Sequence, residues 1–127
     1  LPEKLEIAYR ESLEILQVLA GAVHPGVVVS ELYLKAEKLA EKKNLLAHFM
    51  GFGNDKAGFC GHGIGLELDE PPVISRNGKA VLVPGNVIAL EPKFTFPGEG
   101  VVGVEDIFLV TENGGEKLTK SGYGVKI

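Results

Sequence analysis

The stretch VLVPGNVIALEPKFTFPGEGVVGVEDIFLVTENGGEKL, residues 81–118, decides how this chain folds. Val81 to Val83, Val87 to Phe94, Val101 to Val110 and Lys117 to Leu118 are rich in β-branched and apolar residues and read as strands. Pro84-Gly85, Pro97-Gly98 and Asn113-Gly114-Gly115 separate them as turns. Connections this short join antiparallel neighbours. Two carboxylates interrupt the apolar runs. Glu91 follows Val87-Ile88-Ala89-Leu90, and Glu105 follows Val101, Val102 and Val104. In the middle of buried strands each would lose hydration at a cost of several kcal/mol unless a partner or a metal compensates.

Upstream, the period of the pattern changes. Pro2 to Val23 reads as one amphipathic helix, with Leu5, Tyr9, Leu13, Leu16, Leu19 and Val23 on one stripe. Gly21 and then Pro25-Gly26 stop it. Ser30 is the expected cap of a second helix running to about Lys43, with Leu32, Ala36, Leu39 and Ala40 buried. After Asn44, Ala47 to Phe52 and Phe59 to Leu68 are too short and too rich in glycine for helices. Two helices followed by a run of strands predict an α+β fold, with both helices on one face of a curved antiparallel sheet.

Length and composition limit the functional classes. The chain has 127 residues, enough for one domain with one core. With 45% hydrophobic and 24% charged residues it is composed like a globular protein. A net charge of −4 gives no reason to expect nucleic acid or an anionic membrane as partner. No apolar run is long enough to span a bilayer, and Glu3, Lys4 and Glu6 do not suit a signal peptide. The lone Cys60 excludes an internal disulfide and fits a reducing, cytoplasmic setting. The chain starts at Leu1 rather than Met, so a processed N-terminus is expected.

The residues able to carry chemistry cluster in three segments: Gly61-His62-Gly63-Ile64-Gly65-Leu66-Glu67-Leu68-Asp69-Glu70-Pro71-Pro72, Val87 to Pro92, and Gly103 to Thr111. Two glutamates on neighbouring strands repel each other, a conflict that a shared divalent cation removes. His62 adds an imidazole, a common metal ligand. Taken singly, a strand glutamate pairs more often with a Lys or Arg, and a lone histidine is more often structural. Gly61-x-Gly63 is not a dinucleotide loop, because Leu66 stands where the third glycine belongs and Pro71-Pro72 arrive before a helix could form. Cys60 reads as a buried inert thiol, His24 as an exposed loop residue, His48 as strand-borne core, and Asp106 as a structural hydrogen-bond partner facing away from Glu105.

"GHGIGL…DEPP", "VIALEP" and "VEDIFLVTENG" together resemble the C-terminal motifs of the pita-bread peptidases, which comprise the methionine aminopeptidases, Xaa-Pro dipeptidases and Xaa-Pro aminopeptidases of peptidase family M24. The resemblance covers nearly the whole chain, with both helices and the Pro25-Gly26 turn. It implies the C-terminal half of a pita-bread catalytic domain, residues 1–127 forming a single domain without the N-terminal half. It implies metal ligation by His62 and Glu91, bridging of two metals by Glu105, and hydrolysis of an N-terminal peptide bond. The implied cofactors are divalent Mn, Co, Fe or Zn. The implied partner is a peptide substrate, and a homodimer is an assembly the family allows.

Three departures accompany it. Two aspartate ligands of the family lie N-terminal to the first helix and are not in this sequence. Asp69 stands at the position of the family's second histidine, which assists catalysis. It either caps the turn at Glu70-Pro71 or binds a substrate amine; an ionised Asp accepts hydrogen bonds only and would oppose a developing oxyanion. Gly103 stands where many members carry an Arg that holds substrate. Two alternatives follow: a non-catalytic module of the same fold that binds peptide or protein, and a metal-free creatinase-like amidinohydrolase.

Overall fold

The computed structural model describes residues 2–65, 70–119 and 124–126. Helix α1 (Glu3–Ala22) and helix α2 (Val29–Lys42) come first. Two short 3₁₀ turns, Leu46–His48 and Gly53–Asp55, lead into the strands. These are β1 (Phe59–Gly63), β2 (Glu70–Ser75), β3 (Val87–Leu90), β4 (Lys93–Phe96), β5 (Gly100–Gly103), β6 (Asp106–Thr111), β7 (Gly114–Lys117) and β8 (Gly124–Lys126). Every strand pairing among the described residues is antiparallel, and short turns account for the β4–β5 and β6–β7 pairs.

The strands form two sheets rather than the single curved sheet expected. Five lie in the order β2-β1-β3-β6-β7 and three in the order β4-β5-β8. The two apolar runs read as uninterrupted strands each break once. The first stops at Leu90 and resumes at Lys93; the second stops at Gly103 and resumes at Asp106. Leu90 pairs with Asp106 in one sheet and Lys93 with Gly103 in the other, so a single register runs through both breaks. The chain thus makes one long hairpin, bent at Glu91-Pro92 and Val104-Glu105. The Val104 N–H donates to the Pro92 carbonyl across the bend, 3.2 Å away.

Helix α1 packs on β4, β5 and β7, and α2 packs on β2. Ala8, Ser12 and Ile15 are buried with Leu5, Leu16 and Leu19, whereas Tyr9 and Leu13 are half-buried. The stripe is therefore rotated from the one expected, because two sheets and a second helix cover a wider arc of α1 than one sheet would. Helix α2 begins at Val29 instead of being capped by Ser30. Val28 is held extended by its bridge to Val81, and the Val29 N–H donates to the Ala80 carbonyl at 2.9 Å. That bond satisfies one of the first N–H donors that a helix leaves without an intrahelical partner. The same contact is all that forms of the strand expected at Val81–Val83. His48, read as strand-borne, instead lies in the 3₁₀ turn Leu46–His48, after which Phe49 bridges to Phe94, and β7 ends at Lys117 short of the strand residue expected at Leu118.

Tyr33, Phe49 and Phe94 stack in tilted pairs under the helices. Each such side chain contributes roughly 1.5–3 kcal/mol by leaving water.

Candidate metal centre

Three elements bring the site together. β1 carries His62, which pairs with Ala89 on β3. This pairing is close because position 61 is glycine: a Cβ there would fall 2.5 Å from the Ala89 carbonyl oxygen and 2.9 Å from Ile74. On its other side β1 meets β2 with register shifts at Phe59/Gly61 and His62/Gly63. Bulges of this kind bend a strand and re-aim its side chains. The Glu91 N–H donates to the Cys60 carbonyl at 2.8 Å, continuing the β1–β3 ladder into the bend.

Glu91 and Glu105 occupy facing positions at the bend. Glu91 is largely buried and Glu105 exposed. Burial in mid-strand, expected from the apolar runs, is therefore not what these carboxylates experience. They sit where the strands break, since a bend at which the hairpin changes sheet leaves side chains outside either packed layer.

Ligand-capable atoms of His62, Glu91 and Glu105 lie within 4.8 Å of one another. His62 is buried, and its Nδ1–H donates to the Gly63 carbonyl at 3.0 Å. This bond selects the tautomer whose Nε2 is a lone-pair donor. Nε2 lies 3.4 Å from Oε2 of Glu91. Two donors each about 2.1 Å from one ion at a tetrahedral angle are separated by about the same distance. Burial, and then the Glu105 carboxylate beside it, push the pKa of Glu91 up; His62 and Lys93 oppose the rise. The cluster holds one imidazole and two mutually repelling carboxylates, and a divalent cation would remove that repulsion. The residues present fit a metal.

The other candidates fall apart from this cluster. Asp69 lies outside the described residues. Gly103 pairs with Lys93, and a Cβ on it would fall 2.5 Å from the Lys93 Cβ and 2.8 Å from the Pro92 oxygen. A side chain at 103, arginine included, would force the Pro92–Lys93 backbone to shift, because a Cβ there would also fall 2.9 Å from the Lys93 Cα. Cys60 is fully buried and its thiol is pushed up to about 12, chiefly by burial, so it is not nucleophilic. His24 is exposed. His48 lies on a 3₁₀ turn, stacked between Phe52 and Phe96, and its ring Nδ1–H donates to the Thr95 carbonyl at 2.8 Å. Asp106 is buried, accepts a 2.6 Å hydrogen bond from Thr119 and pairs with Lys117 at 3.2 Å.

Sequence reasoning missed Glu11. Its carboxylate is buried on α1 without a hydrogen-bond partner among the described residues. Burial first, and Glu14 next, raise its pKa to about 7. Its place at the edge of the α1 stripe gave no signal, because a charged residue there ordinarily points into water.

An antiparallel bent hairpin flanked by two helices, with an imidazole and two carboxylates at its corner, defines an α+β fold of the pita-bread class. The sequence model of metallopeptidase family M24 matches residues 2–112. The chain belongs to that family. It is 36% identical over 119 residues to the Xaa-Pro dipeptidase of Pyrococcus furiosus, an alignment covering 94% of this chain and 32% of that protein. It is 36% identical over 93 residues to the probable dipeptidase PepE of Mycobacterium tuberculosis, covering 73% of this chain and 23% of that one. The crystal structure of the prolidase from Pyrococcus horikoshii superposes with a TM-score of 0.85 at 32% identity, over 97% of this chain and 33% of that structure. The chain thus spans about a quarter to a third of the length of these relatives. Among the described residues no helix is long and apolar enough to cross a membrane.

Proposed function

We propose that the intact protein is a two-metal hydrolase that cleaves an N-terminal peptide bond of the Xaa-Pro type, and that residues 1–127 form the C-terminal part of its catalytic domain. The observation that carries this reading is the convergence of His62, Glu91 and Glu105 at one bend. The kinship with Xaa-Pro dipeptidases supplies the substrate class.

When bound, divalent Mn, Co, Fe or Zn would supply Lewis acidity and lower the pKa of a coordinated water. His62 offers Nε2, held in orientation through its Nδ1–H to Gly63. Glu91 presents a carboxylate from the largely buried side of the bend, and Glu105 from the exposed side, where it can be shared between two ions. Burial of His62 and most of Glu91 keeps water from competing for these donors. This chain contributes three donors, so on its own it is expected to bind metal weakly and to hydrolyse no peptide.

Metal analysis and turnover of the full-length protein test the reading. Near-stoichiometric transition metal with hydrolysis of Xaa-Pro dipeptides is expected. Absence of both metal and turnover would refute it. Asp69→His tests position 69 separately: a large change in rate assigns it to the substrate, and no change leaves it as a turn residue.

A further inference from the structure

Phe59 opens β1 three residues before His62. On a regular strand, residues three apart point to opposite faces of the sheet. β1 is not regular there. Phe59 pairs with Ser75 and Gly61 with Ile74, so two steps along β1 answer one step along β2, and Cys60 is the extra residue of a bulge. The extra residue reverses the alternation. Cys60 turns into the core, fully buried, and Phe59 comes round to His62. The two ring centroids stand 6.3 Å apart and the rings are inclined at 79°, the edge-to-face arrangement that aromatic pairs favour.

That contact meets a need of His62. Both of its chain neighbours are glycines, Gly61 and Gly63. The residue paired with it on β3 is the small Ala89, and the one paired on β2, Val73, is itself exposed. The histidine χ2 torsion is broad and roughly two-fold, so the torsion does not choose which ring edge faces Glu91. The choice falls to the surroundings. The Gly63 carbonyl accepts the Nδ1–H at 3.0 Å, and a ring flipped about χ2 would turn that proton away from it. Phe59 lies half-buried against the imidazole and resists the flip.

The same bulge serves the second donor of the corner. The carbonyl of Cys60, the bulged residue, accepts the Glu91 N–H at 2.8 Å. One irregularity in β1 thus sets the ring of His62 through Phe59 and the backbone of Glu91 through Cys60.

We infer that Phe59 is a positioning residue: edge-to-face with His62, it holds the imidazole with Nδ1–H on the Gly63 carbonyl and Nε2 toward Glu91. This role rests on the two-metal reading proposed above, but its first test needs neither metal nor turnover. Long-range nitrogen–proton correlation spectra of the metal-free full-length protein at alkaline pH read the imidazole tautomer, and the His62 signals are those lost in His62→Gln. The wild type is expected to show the Nδ1–H tautomer alone. Phe59→Leu, which keeps an apolar side chain but no ring, should show a mixture of both tautomers. Phe59→Tyr, which keeps the ring, should restore the single tautomer. By calorimetry Phe59→Leu should bind Mn(II) roughly tenfold more weakly than the wild type, and Phe59→Tyr should bind it as the wild type does. Should Phe59→Leu fail to fold, Phe59→Met carries the same comparison. A Phe59→Leu protein that melts lower yet keeps the single tautomer and the metal affinity overturns the inference, because a ring that only fills space would do that. Xaa-Pro turnover is measured on the wild type alongside. Turnover with an unmoved tautomer in Phe59→Leu sinks the role of Phe59 and keeps the hydrolase. A tautomer that moves in Phe59→Leu, in a protein without metal or turnover, keeps Phe59 and sinks the hydrolase.

Discussion

Glu91 and Glu105 face each other across a bend in one hairpin, at the point where its two strands leave a five-stranded sheet for a three-stranded one. Their ligand-capable oxygens lie within 4.8 Å of one another, and one of the two carboxylates is largely out of water. This arrangement costs stability when no cation is bound, and it holds donors ready for one.

That cost can be measured. Glu91→Gln removes one charge from the facing pair and the penalty of burying it. The metal-free full-length protein is expected to gain about 0.5–1.5 kcal/mol from the change, read as a higher Tm in chelator. The same variant should bind Mn(II) at least a hundredfold more weakly by calorimetry. A loss of metal-free stability would count against the repulsion.

Glu11 gives a pH dependence whose sign is fixed by its environment. Its pKa is raised from 4.5 to about 7 by burial and then by Glu14, so the folded state holds a proton that the unfolded state has released. The stability from this group is fully present below about pH 4.5, falls as pH rises to about 7, and is level above that. Glu11→Gln mimics the protonated form. It should match the wild type near pH 4 and exceed it by roughly 1–3 kcal/mol at pH 8 in urea unfolding. A constant difference across that range would refute the assignment.

Gly61 sets the spacing between β1 and β3. Gly61→Ala puts a methyl 2.5 Å from a backbone oxygen that cannot rotate away. The expected loss is about 2–3 kcal/mol in chemical denaturation. Because the shift would carry His62 away from Glu91, metal affinity should fall even where the variant is still folded. Unchanged affinity in a destabilised variant would separate the two effects and contradict the coupling.

Asp106 follows Glu105 and anchors the start of β6. Asp106→Ala deprives Thr119 and Lys117 of their acceptor, and Thr119 in turn accepts from the Ile107 N–H at 3.0 Å. The expected cost is about 2–3 kcal/mol, below that of a fully buried ion pair because Lys117 reaches solvent. Hydrogen exchange should quicken first at the β6–β7 ladder. Protection equal to wild type there would show that the network does not hold that edge.

The sequence by itself determined what is local: two helices ahead of a set of strands, their antiparallel pairing through short turns, and the residue types at His62, Glu91 and Glu105. Helical and strand periodicity and turn chemistry act over a few residues, so those features were legible. Tertiary structure alone decided where the second long strand breaks. Val87–Phe94 reads as continuous although Pro92, which has no N–H to donate, marks its break locally; Val101–Val110 carries no such signal, and only its pairing shows where it bends. The bend is fixed by what pairs on either side, β1 and β6 against β3, β5 against β4. It turns two expected mid-strand carboxylates into a facing pair at a corner, one largely buried and one exposed. The same long-range packing buries Glu11 at the edge of a helical stripe and brings Lys93 against Gly103. Those contacts join residues distant or opposed in the chain, and only the folded arrangement places them together.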